Sequence, residues 1–470
     1  MEKTNRAKYL LKNTIIFTLG NFASKFISFF LVPLYTNILS ASEYGTVDLV
    51  VTISTITVPI ITLNIMEAVM RFNLDRGTDN NKITKIGILI LFFGMLLGIV
   101  LIPLCRLWNQ VSSFSVLVYF YVVCSAASQV FLCDLRGKEL LFQYSIGNIL
   151  NTALIAGFNF LFLLVFKLGI AGYLSAYTIA NAIVAVYALI IGKGYRAINT
   201  PLDKRKMKEM LEYSVVLIPN SFMWWIMNSS DHVMVTSMIG AASNGIYAIS
   251  YKLPTLISTF TGIFNQAWSY SAIREKDSED AEGYTNNVFK SMISIIMLIG
   301  LCMMAIIKPF LNIYVSPNFY AAWQYTPFLI IGCVYLTLGT FISTSYTVHK
   351  DSKGFLLSAT FGAVLNIILN WTLIPVFEVY GAALATCISY ISVFIFRFFH
   401  TRKYITYKVM TKEFIYGSIG LVFSAMLMYS SSYTAQVIQV CIFVFGVYVF
   451  RETWLPYIRI LTRKIERNII

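Results

Sequence analysis

Long apolar stretches separated by short polar segments run along almost the whole chain. Most hold about 20 predominantly apolar residues, the length that an α-helix needs to cross the hydrocarbon core of a bilayer. The pattern predicts about fourteen membrane-spanning helices, called predicted spans 1 to 14 in chain order. They lie at residues 14–36, 44–69, 84–107, 114–135, 142–166, 170–192, 213–239, 246–271, 287–307, 322–347, 355–376, 380–400, 413–430 and 434–450.

The composition supports this interpretation. Of the 470 residues, 57% are hydrophobic and 12% are charged, whereas soluble domains carry about 25% charged residues. A soluble core of this size could not bury so much apolar surface. The composition therefore predicts an all-α polytopic membrane protein and argues against a soluble enzyme, a nucleic-acid-binding protein or a secreted disulfide-rich domain.

Basic residues alternate between successive connections, and this alternation predicts the orientation of the spans. The chain has 36 Lys and Arg residues and a net charge of +14. Both termini and the connections after even-numbered spans hold all of them except Arg106, Lys167, Lys308, Lys25 and Lys252. The first three lie after odd-numbered spans, and the two others lie inside spans. Because positively charged loops remain cytoplasmic, both termini are predicted to be cytoplasmic, and the charge is explained without nucleic acid.

Short sequence matches predict an internal duplication. Residues 36–45 and 236–245 share Thr, Ala and Gly at the same positions, with an offset of 200 residues. The pattern Gly-x-x-Leu-Asn occurs at 147–151 in span 5 and again at 362–366 in span 11. Two six-helix lobes of the same orientation follow from this duplication, with a central cavity and a substrate path between them.

The predicted organisation has four parts. An N-terminal lobe at 1–192 is followed by a cytoplasmic linker at 193–212, a C-terminal lobe at 213–400, and spans 13 and 14 with a basic tail at 401–470. The predicted outward connections are short. This argues against a membrane glycosyltransferase or polymerase, since such enzymes generally need a sizeable domain outside the bilayer to hold a sugar donor.

Polar residues with helical spacing mark spans 1, 2, 7 and 8, which correspond in the two lobes. A polar stripe on a membrane helix faces a cavity or a neighbouring helix, because lipid cannot satisfy its hydrogen bonds. These four spans are the predicted cavity walls. The candidate cavity and substrate-binding residues are Asn21, Lys25, Ser28, Asp48, Asn220, Trp224, Asn228, Asp231, Lys252, Thr255 and Thr259.

Two lysines among them are candidates for binding an anion. Lys25 lies near the middle of span 1, where an ammonium group costs at least a few kcal/mol to hold. An anion-binding role in a hydrated cavity and a structural ion pair both explain this position. Lys252 lies at a depth similar to that of Asp231, so the two could pair, either permanently or as a switch. The indole of Trp224 could stack on a sugar ring or serve packing alone.

The candidates for ion coupling are Asp231, His232 and Asp48, since carboxylates and imidazole exchange protons or bind cations. No catalytic motif is evident, and the three histidines are scattered, so neither a metal site nor a cofactor is predicted. Without a nucleotide site, transport would be driven by an ion gradient, the membrane potential or the substrate gradient.

Three features of the chain resemble the polysaccharide flippases of the Wzx type, in the multidrug/oligosaccharidyl-lipid/polysaccharide (MOP) exporter superfamily. These are the opening segment at 13–21 and 29–36 with Glu43-Tyr44-Gly45, the Gly-Ala-Ala-Leu-Ala-Thr run at 381–386, and the fourteen-span topology. The resemblance implies alternating-access export of a polyprenyl-pyrophosphate-linked oligosaccharide, held by Lys25 and Lys252. It further implies roles in O-antigen, lipopolysaccharide or exopolysaccharide assembly, with contacts to membrane lipids and to a glycan polymerase or other assembly proteins.

The same resemblance implies a bacterial cytoplasmic membrane location and coupling to H⁺ or Na⁺. Two alternatives within transport stay open. A cation-coupled multidrug exporter of the same superfamily would favour acidic cavity residues such as Asp48 and Asp231. A flippase for peptidoglycan lipid precursors would show the same architecture.

Overall fold

The computed structural model describes residues 24–75, 77–430, 432–453 and 455, and within these residues it contains helices and no β-strand. Helix α1 occupies residues 24–38. The remaining helices are α2 Ala41–Ile61, α3 Ile65–Asn73, α4 Asn80–Gly98, α5 Leu101–Arg106, α6 Ser115–Gly137, α7 Leu141–Asn159, α8 Gly169–Ile191, α9 Lys204–Met238, α10 Ala241–Ser250, α11 Pro254–Arg274, α12 Ala281–Tyr314, α13 Thr326–Val348, α14 Ser352–His400, α15 Lys412–Met428 and α16 Tyr433–Val449. The prediction of an all-α membrane protein is confirmed.

Eight of the described helical segments are long and apolar enough to cross a membrane. The longest, Ser352–Lys403, has 52 residues, or about 78 Å at 1.5 Å per residue. A bilayer core is about 30 Å thick, so this segment has the length of two crossings. Glu378 interrupts it with a backbone φ of 52° and ψ of −130°, between the two spans predicted at 355–376 and 380–400.

Other predicted spans are also divided by local breaks. Leu63 and Asn64 adopt left-handed φ angles of 50° and 52°, which separate α2 from α3 within predicted span 2. Pro59 contributes to this break because its ring disfavours a continuous helix and it has no N–H to donate. Predicted span 8 is also divided, into α10 and α11, with Pro254 at the first position of α11.

The chain forms two compact units. The first comprises Met1–Trp225 together with Gly240–Gly245, and the second comprises Ile226–Ile239 together with Ile246–Ile470. The stretch predicted as a linker, 193–212, holds a 3₁₀ turn at Gly194–Asn199 and the beginning of α9. Two predicted regions, the start of span 1 and the basic C-terminal tail, lie outside the described residues.

Each unit combines a dense interior with an apolar exterior. In the first unit, Val47 and Leu49 of α2 are buried, whereas Phe93 and Leu97 of α4 are more than half exposed. Aromatic and aliphatic side chains at such positions are compatible with contact to lipid tails, where exposure carries no hydrophobic penalty. Some helices also carry buried polar side chains, among them Asp231, and these side chains form the candidate site.

Candidate functional site

A buried polar cluster surrounds Asp231 in the second unit. Asp231 is 1% exposed, and its Oδ2 atom accepts hydrogen bonds from the hydroxyls of Tyr247 at 2.7 Å, Tyr251 at 2.8 Å and Thr386 at 3.1 Å. Its Oδ1 atom accepts from the backbone N–H of His232 at 3.0 Å. Helices α9, α10 and α14 and the turn after α10 thus supply the carboxylate and its donors.

Asparagine side chains of α14 extend this cluster. Asn366 accepts hydrogen bonds from Ser230 at 3.3 Å and from Asn370 at 2.9 Å, and it donates to the hydroxyl of Thr386 at 3.4 Å. Both asparagines are at most 1% exposed, and the Oδ1 atom of Asn370 has no hydrogen-bond partner among the described residues. The Oδ1 atom of Asn370 therefore has unused acceptor capacity, and Asn370 is joined to Asp231 through Asn366 and Thr386.

The hydrogen bonds described for this carboxylate come from three hydroxyl groups and one backbone N–H. Pairing of Asp231 with Lys252 stays a prediction. The ring of His232, which is 8% exposed, lies with its centroid 5.2 Å from those of Tyr247 and Tyr251.

The first unit has no counterpart of the carboxylate at the position predicted by the repeat. The offset of 200 residues aligns Asp231 with Leu31. Asn151, which the repeat aligns with Asn366, donates to Asn181 at 3.4 Å. The matched positions of the two units therefore share an asparagine and differ in the carboxylate.

Lys25 and Ser28 both lie on the exposed surface of α1 in the first unit. Ser24, next to Lys25 and one turn before Ser28, donates from its hydroxyl to the backbone carbonyl of Asn148 at 3.2 Å. This hydrogen bond attaches α1 to α7. The amino group and hydroxyl of residues 25 and 28 thus lie outside the protein interior. Asn21, predicted to continue this stripe, lies outside the described residues.

Asp48 follows the segment 36–45 and lies beside its repeat counterpart, the segment 236–245. The side-chain amide of the buried Asn244 donates to the carbonyl of Gly45 at 3.0 Å and to Asp48 at 3.3 Å. A Cβ atom on Gly45 would lie 1.8 Å from the carbonyl oxygen of Ala241, and one on Gly245 would meet another carbonyl at 2.0 Å. Glycine at both repeat positions is therefore required by the direct contact of two backbones within the first unit.

Of the two adjacent tryptophans, Trp225 makes the defined polar contact. Its indole N–H donates to the carbonyl of Thr52 in α2 at 2.9 Å, and its ring stacks on Phe222 with centroids 6.3 Å apart. Trp224, the predicted sugar-stacking residue, is half-buried. Trp225 is therefore a structural anchor for α9 in the first unit.

The remaining predicted residues occupy intermediate environments. Asn228 accepts a hydrogen bond from the hydroxyl of Tyr390 at 3.0 Å, and Asn220 and Lys252 are half-buried. Thr255 donates to the backbone carbonyl of Lys252, just before α11, at 2.8 Å, and Thr259 donates to the carbonyl of Thr255 at 3.0 Å. Their hydroxyls are thus satisfied without a ligand.

The sequence interpretation missed most of the groups that surround Asp231. Tyr247 and Tyr251 are spaced four residues apart, which places both on one helical face, and this spacing was the available signal. Thr386 and Asn366 occurred in the repeat and family patterns without a predicted role at this site. Their connection to Asp231 depends on contacts across more than 100 residues of sequence.

A family model described as "Polysaccharide biosynthesis protein" matches residues 10–270 of the chain, which is more than half of its length. The chain belongs to this family. A curated relative, an uncharacterized membrane protein from Methanocaldococcus jannaschii, is 24% identical over 410 residues, covering 82% of this chain and 96% of the relative.

Solved structures agree on the fold. The lipid II flippase MurJ in an inward closed conformation matches with a TM-score of 0.69 and 14% identity, covering 94% of this chain and 100% of that chain. An inward-facing multidrug resistance MATE transporter of the MOP superfamily matches with a TM-score of 0.61 and 12% identity, covering 88% and 96%. The chain therefore has the fold of these two membrane proteins, and eight of its described helical segments are long and apolar enough to cross a membrane, as in a multi-pass membrane protein.

Proposed function

We propose that this protein moves a polyprenyl-pyrophosphate-linked oligosaccharide from the inner to the outer leaflet of the cytoplasmic membrane by alternating access. The family match over residues 10–270 carries this proposal, because it connects the chain to polysaccharide biosynthesis, and the fold is one shared by transporters. Both termini are then cytoplasmic, as the distribution of basic residues predicts.

Lys25 is proposed to bind the pyrophosphate. Its exposure on α1 allows contact with a ligand, and an ammonium group compensates the charge of phosphate oxygens through charge-assisted hydrogen bonds. Ser28, one turn further along the same helix, adds a hydroxyl. Lys252, half-buried in the turn after α10, is the second proposed phosphate-binding group.

A complementation experiment tests the flippase proposal. The wild type, Lys25→Ala and the control Lys353→Ala, which removes an exposed lysine at the start of α14, are expressed in a bacterium that lacks its own polysaccharide flippase. We expect the wild type and the control to clear the lipid-linked intermediate and to restore surface glycan, and Lys25→Ala to fail at equal membrane abundance. Equal activity of Lys25→Ala would remove the proposed role of this lysine.

The same experiment separates the cargo alternatives. A wild type that leaves the intermediate in place and instead confers resistance to cationic drugs would replace the proposal with a multidrug exporter, whose fold the chain shares. A wild type that rescues cells depleted of a peptidoglycan-precursor flippase, and not those deficient in polysaccharide export, would replace it with lipid II transport.

Asp231 is proposed as the coupling site for H⁺ or Na⁺. The support is its burial, its neutral hydroxyl neighbours and the nearby amide oxygens of Asn366 and Asn370. Small hard cations prefer such oxygen ligands, and a proton would neutralise the carboxylate directly. Binding of either would change the charge of the cluster and the hydrogen bonds between α9 and α14.

Thermal stability of the purified protein tests the coupling proposal. We expect Na⁺ to raise the melting temperature of the wild type relative to K⁺ at the same pH, and Asp231→Asn to lose this response. The control is Asp134→Asn, because Asp134 is also buried but forms an ion pair with Lys138 at 2.6 Å. A response that survives in Asp231→Asn would place coupling elsewhere.

A further inference from the structure

The second unit contains an open polar pocket of about 420 Å³ that none of the residues discussed above, apart from Lys308, helps to form. Its walls come from the end of α12, the 3₁₀ segment Pro317–Gln324, the end of α15 and the start of α16. This volume lies within the range of small-molecule sites, roughly 300–1,000 Å³. The predicted topology places the pocket on the outward face.

Lys308 is the charged group of this pocket. It is one of three basic residues in predicted outward connections, where basic residues are disfavoured. Its ammonium group lies 4.1 Å from the ring centroid of Trp323 and donates to the carbonyl of Ser430 at 3.5 Å. The aromatic contact and the carbonyl fix the position of the charge at the pocket.

The rest of the lining consists mostly of neutral hydrogen-bonding groups, together with the apolar Pro309, Leu427 and Met428. Asn312, Tyr320, Ser432, Tyr433 and Gln436 contribute amides and hydroxyls, and none of the described lining residues is acidic. A pocket with one cation, several neutral donors and no carboxylate favours an anionic ligand.

Exposed apolar side chains adjoin the pocket along the same helices. Ile313, next to Asn312, is 87% exposed, and Val437, next to Gln436, is 44% exposed. In a membrane protein such side chains contact acyl chains, so a lipid can place its head group in the pocket and its chains along this surface. A soluble anion would gain nothing from the apolar surface.

We propose that this pocket binds the phosphate-bearing head group of a lipid in the predicted outer leaflet, with Lys308 as its phosphate ligand. Ordinary anionic phospholipids and a polyprenyl phosphate share the required chemistry. One side of the pocket is formed by α15 and α16, which the predicted duplication does not include. The proposal therefore gives these two helices a lipid-binding role. If the bound lipid is a polyprenyl phosphate, the proposal rests on the proposed flippase function; if it is an ordinary phospholipid, it does not.

Native mass spectrometry of the detergent-purified full chain tests the proposal without requiring transport. The probes are phosphatidylglycerol, zwitterionic phosphatidylcholine, a polyprenyl phosphate and inorganic phosphate. We expect phosphatidylglycerol or the polyprenyl phosphate to bind more tightly than phosphatidylcholine. Lys308→Gln should weaken this binding by about tenfold or more, as expected for the loss of a hydrogen bond to a charged group. Lys308→Arg should retain most of it.

Two further variants make the result specific. Lys167→Gln removes an exposed basic residue from another predicted outward connection and should leave binding unchanged. Gln436→Leu alters the half-buried wall of the pocket without removing charge and should also weaken binding. If Lys308→Gln weakens the binding of the polyprenyl phosphate alone, the site is assigned to the cargo. If it weakens the binding of phosphatidylglycerol as well, the site is assigned to lipid phosphates generally.

Two results would overturn the proposal. The first is binding of both anionic lipids to Lys308→Gln with the wild-type affinity. The second is displacement of the bound lipid by inorganic phosphate at an equal concentration, because the acyl chains would then contribute nothing. Lipid binding and its displacement by phosphate are measured without transport, so failure of the complementation experiment does not affect them. The two proposals can therefore fail separately.

Discussion

Two aspartates of the second unit have their charges compensated in different ways. Asp231 is buried and receives three hydroxyl donors, with no cation among its hydrogen-bond partners in the described residues. Asp351 precedes α14, where its carboxylate accepts from the backbone N–H of Gly354 at 2.8 Å, the hydroxyl of Tyr404 at 2.8 Å and the ammonium of Lys403 at 3.0 Å. The first carboxylate is held by hydroxyl groups in the interior of the second unit, and the second suits a permanent helix cap.

The environment of Asp351 predicts a pH-dependent contribution to stability. The Gly354 N–H, followed by Tyr404 and Lys403, holds the pKa of this carboxyl well below its usual value of 3.8. A lowered pKa in the folded state stabilises the fold above the unfolded-state pKa, and this contribution is lost as the pH falls through the folded-state value. We expect Asp351→Asn to lower the melting temperature at pH 7 and to differ progressively less from the wild type below about pH 4.

The control for this prediction is Asp277→Asn, which changes an exposed carboxylate in the connection between α11 and α12. It should leave the melting temperature close to that of the wild type at both pH values. A constant difference between Asp351→Asn and the wild type across the acid range would contradict the assigned cause, because a steric effect of the amide does not titrate.

At the scale of elements, the first turns of α2 and α10 depend on glycine for direct backbone contact. The Cβ of any other residue at position 45 would lie within 2 Å of a carbonyl oxygen in the Gly240–Gly245 segment. Backbone atoms cannot rotate away as a side chain can, so the two segments would have to separate. The Asn244 bonds to Gly45 and Asp48 would be lost at the same time.

We therefore expect Gly45→Ala to destabilise the protein by about 1–3 kcal/mol or more, as overpacked sites do. The matched control is Gly157→Ala in α7, where an added Cβ would meet no atom within 4 Å. Thermal unfolding in detergent measures both variants. Equal melting temperatures for the two variants would show that the turn contact is dispensable for stability.

At the scale of the whole molecule, the predicted duplication is chemically unequal. The repeat retains an asparagine at positions 151 and 366 and has a carboxylate at 231 but leucine at 31. Only the second of these asparagines is joined, through Thr386, to a buried aspartate. Two copies with the same helical framework can thus differ in whether they bind an ion.

This asymmetry predicts different effects of the same substitution in the two units. Asn366→Ala should weaken the stabilisation of the purified protein by Na⁺ or by protons about tenfold or more in apparent affinity, because it removes oxygen ligands and a partner of Thr386. Asn151→Ala, its repeat counterpart, should leave that affinity unchanged. Titration of the melting temperature with Na⁺ at fixed pH distinguishes the two, and an equal loss in both would contradict a single coupling site.

The helical class and the membrane-spanning character followed from the sequence alone. These properties depend on local patterns, since a segment in lipid must satisfy its backbone hydrogen bonds within itself, and a run of apolar residues is sufficient to mark it. The breaks inside predicted spans 2 and 8 lie beside Pro59 and Pro254. Two left-handed residues, Leu63 and Asn64, accompany the first of these breaks.

The partners of each polar group were decided by the tertiary structure. The hydroxyl donors of Asp231 include Thr386, which is 155 residues away in sequence, and two tyrosines. In the sequence, Gly45 and Gly245 are only identical residues at matched positions. The backbone contact at these two positions gives a physical reason why both are glycine. Hydrophobic periodicity specifies which residues lie on one helical face, whereas the packing of helices distant in sequence specifies what that face meets.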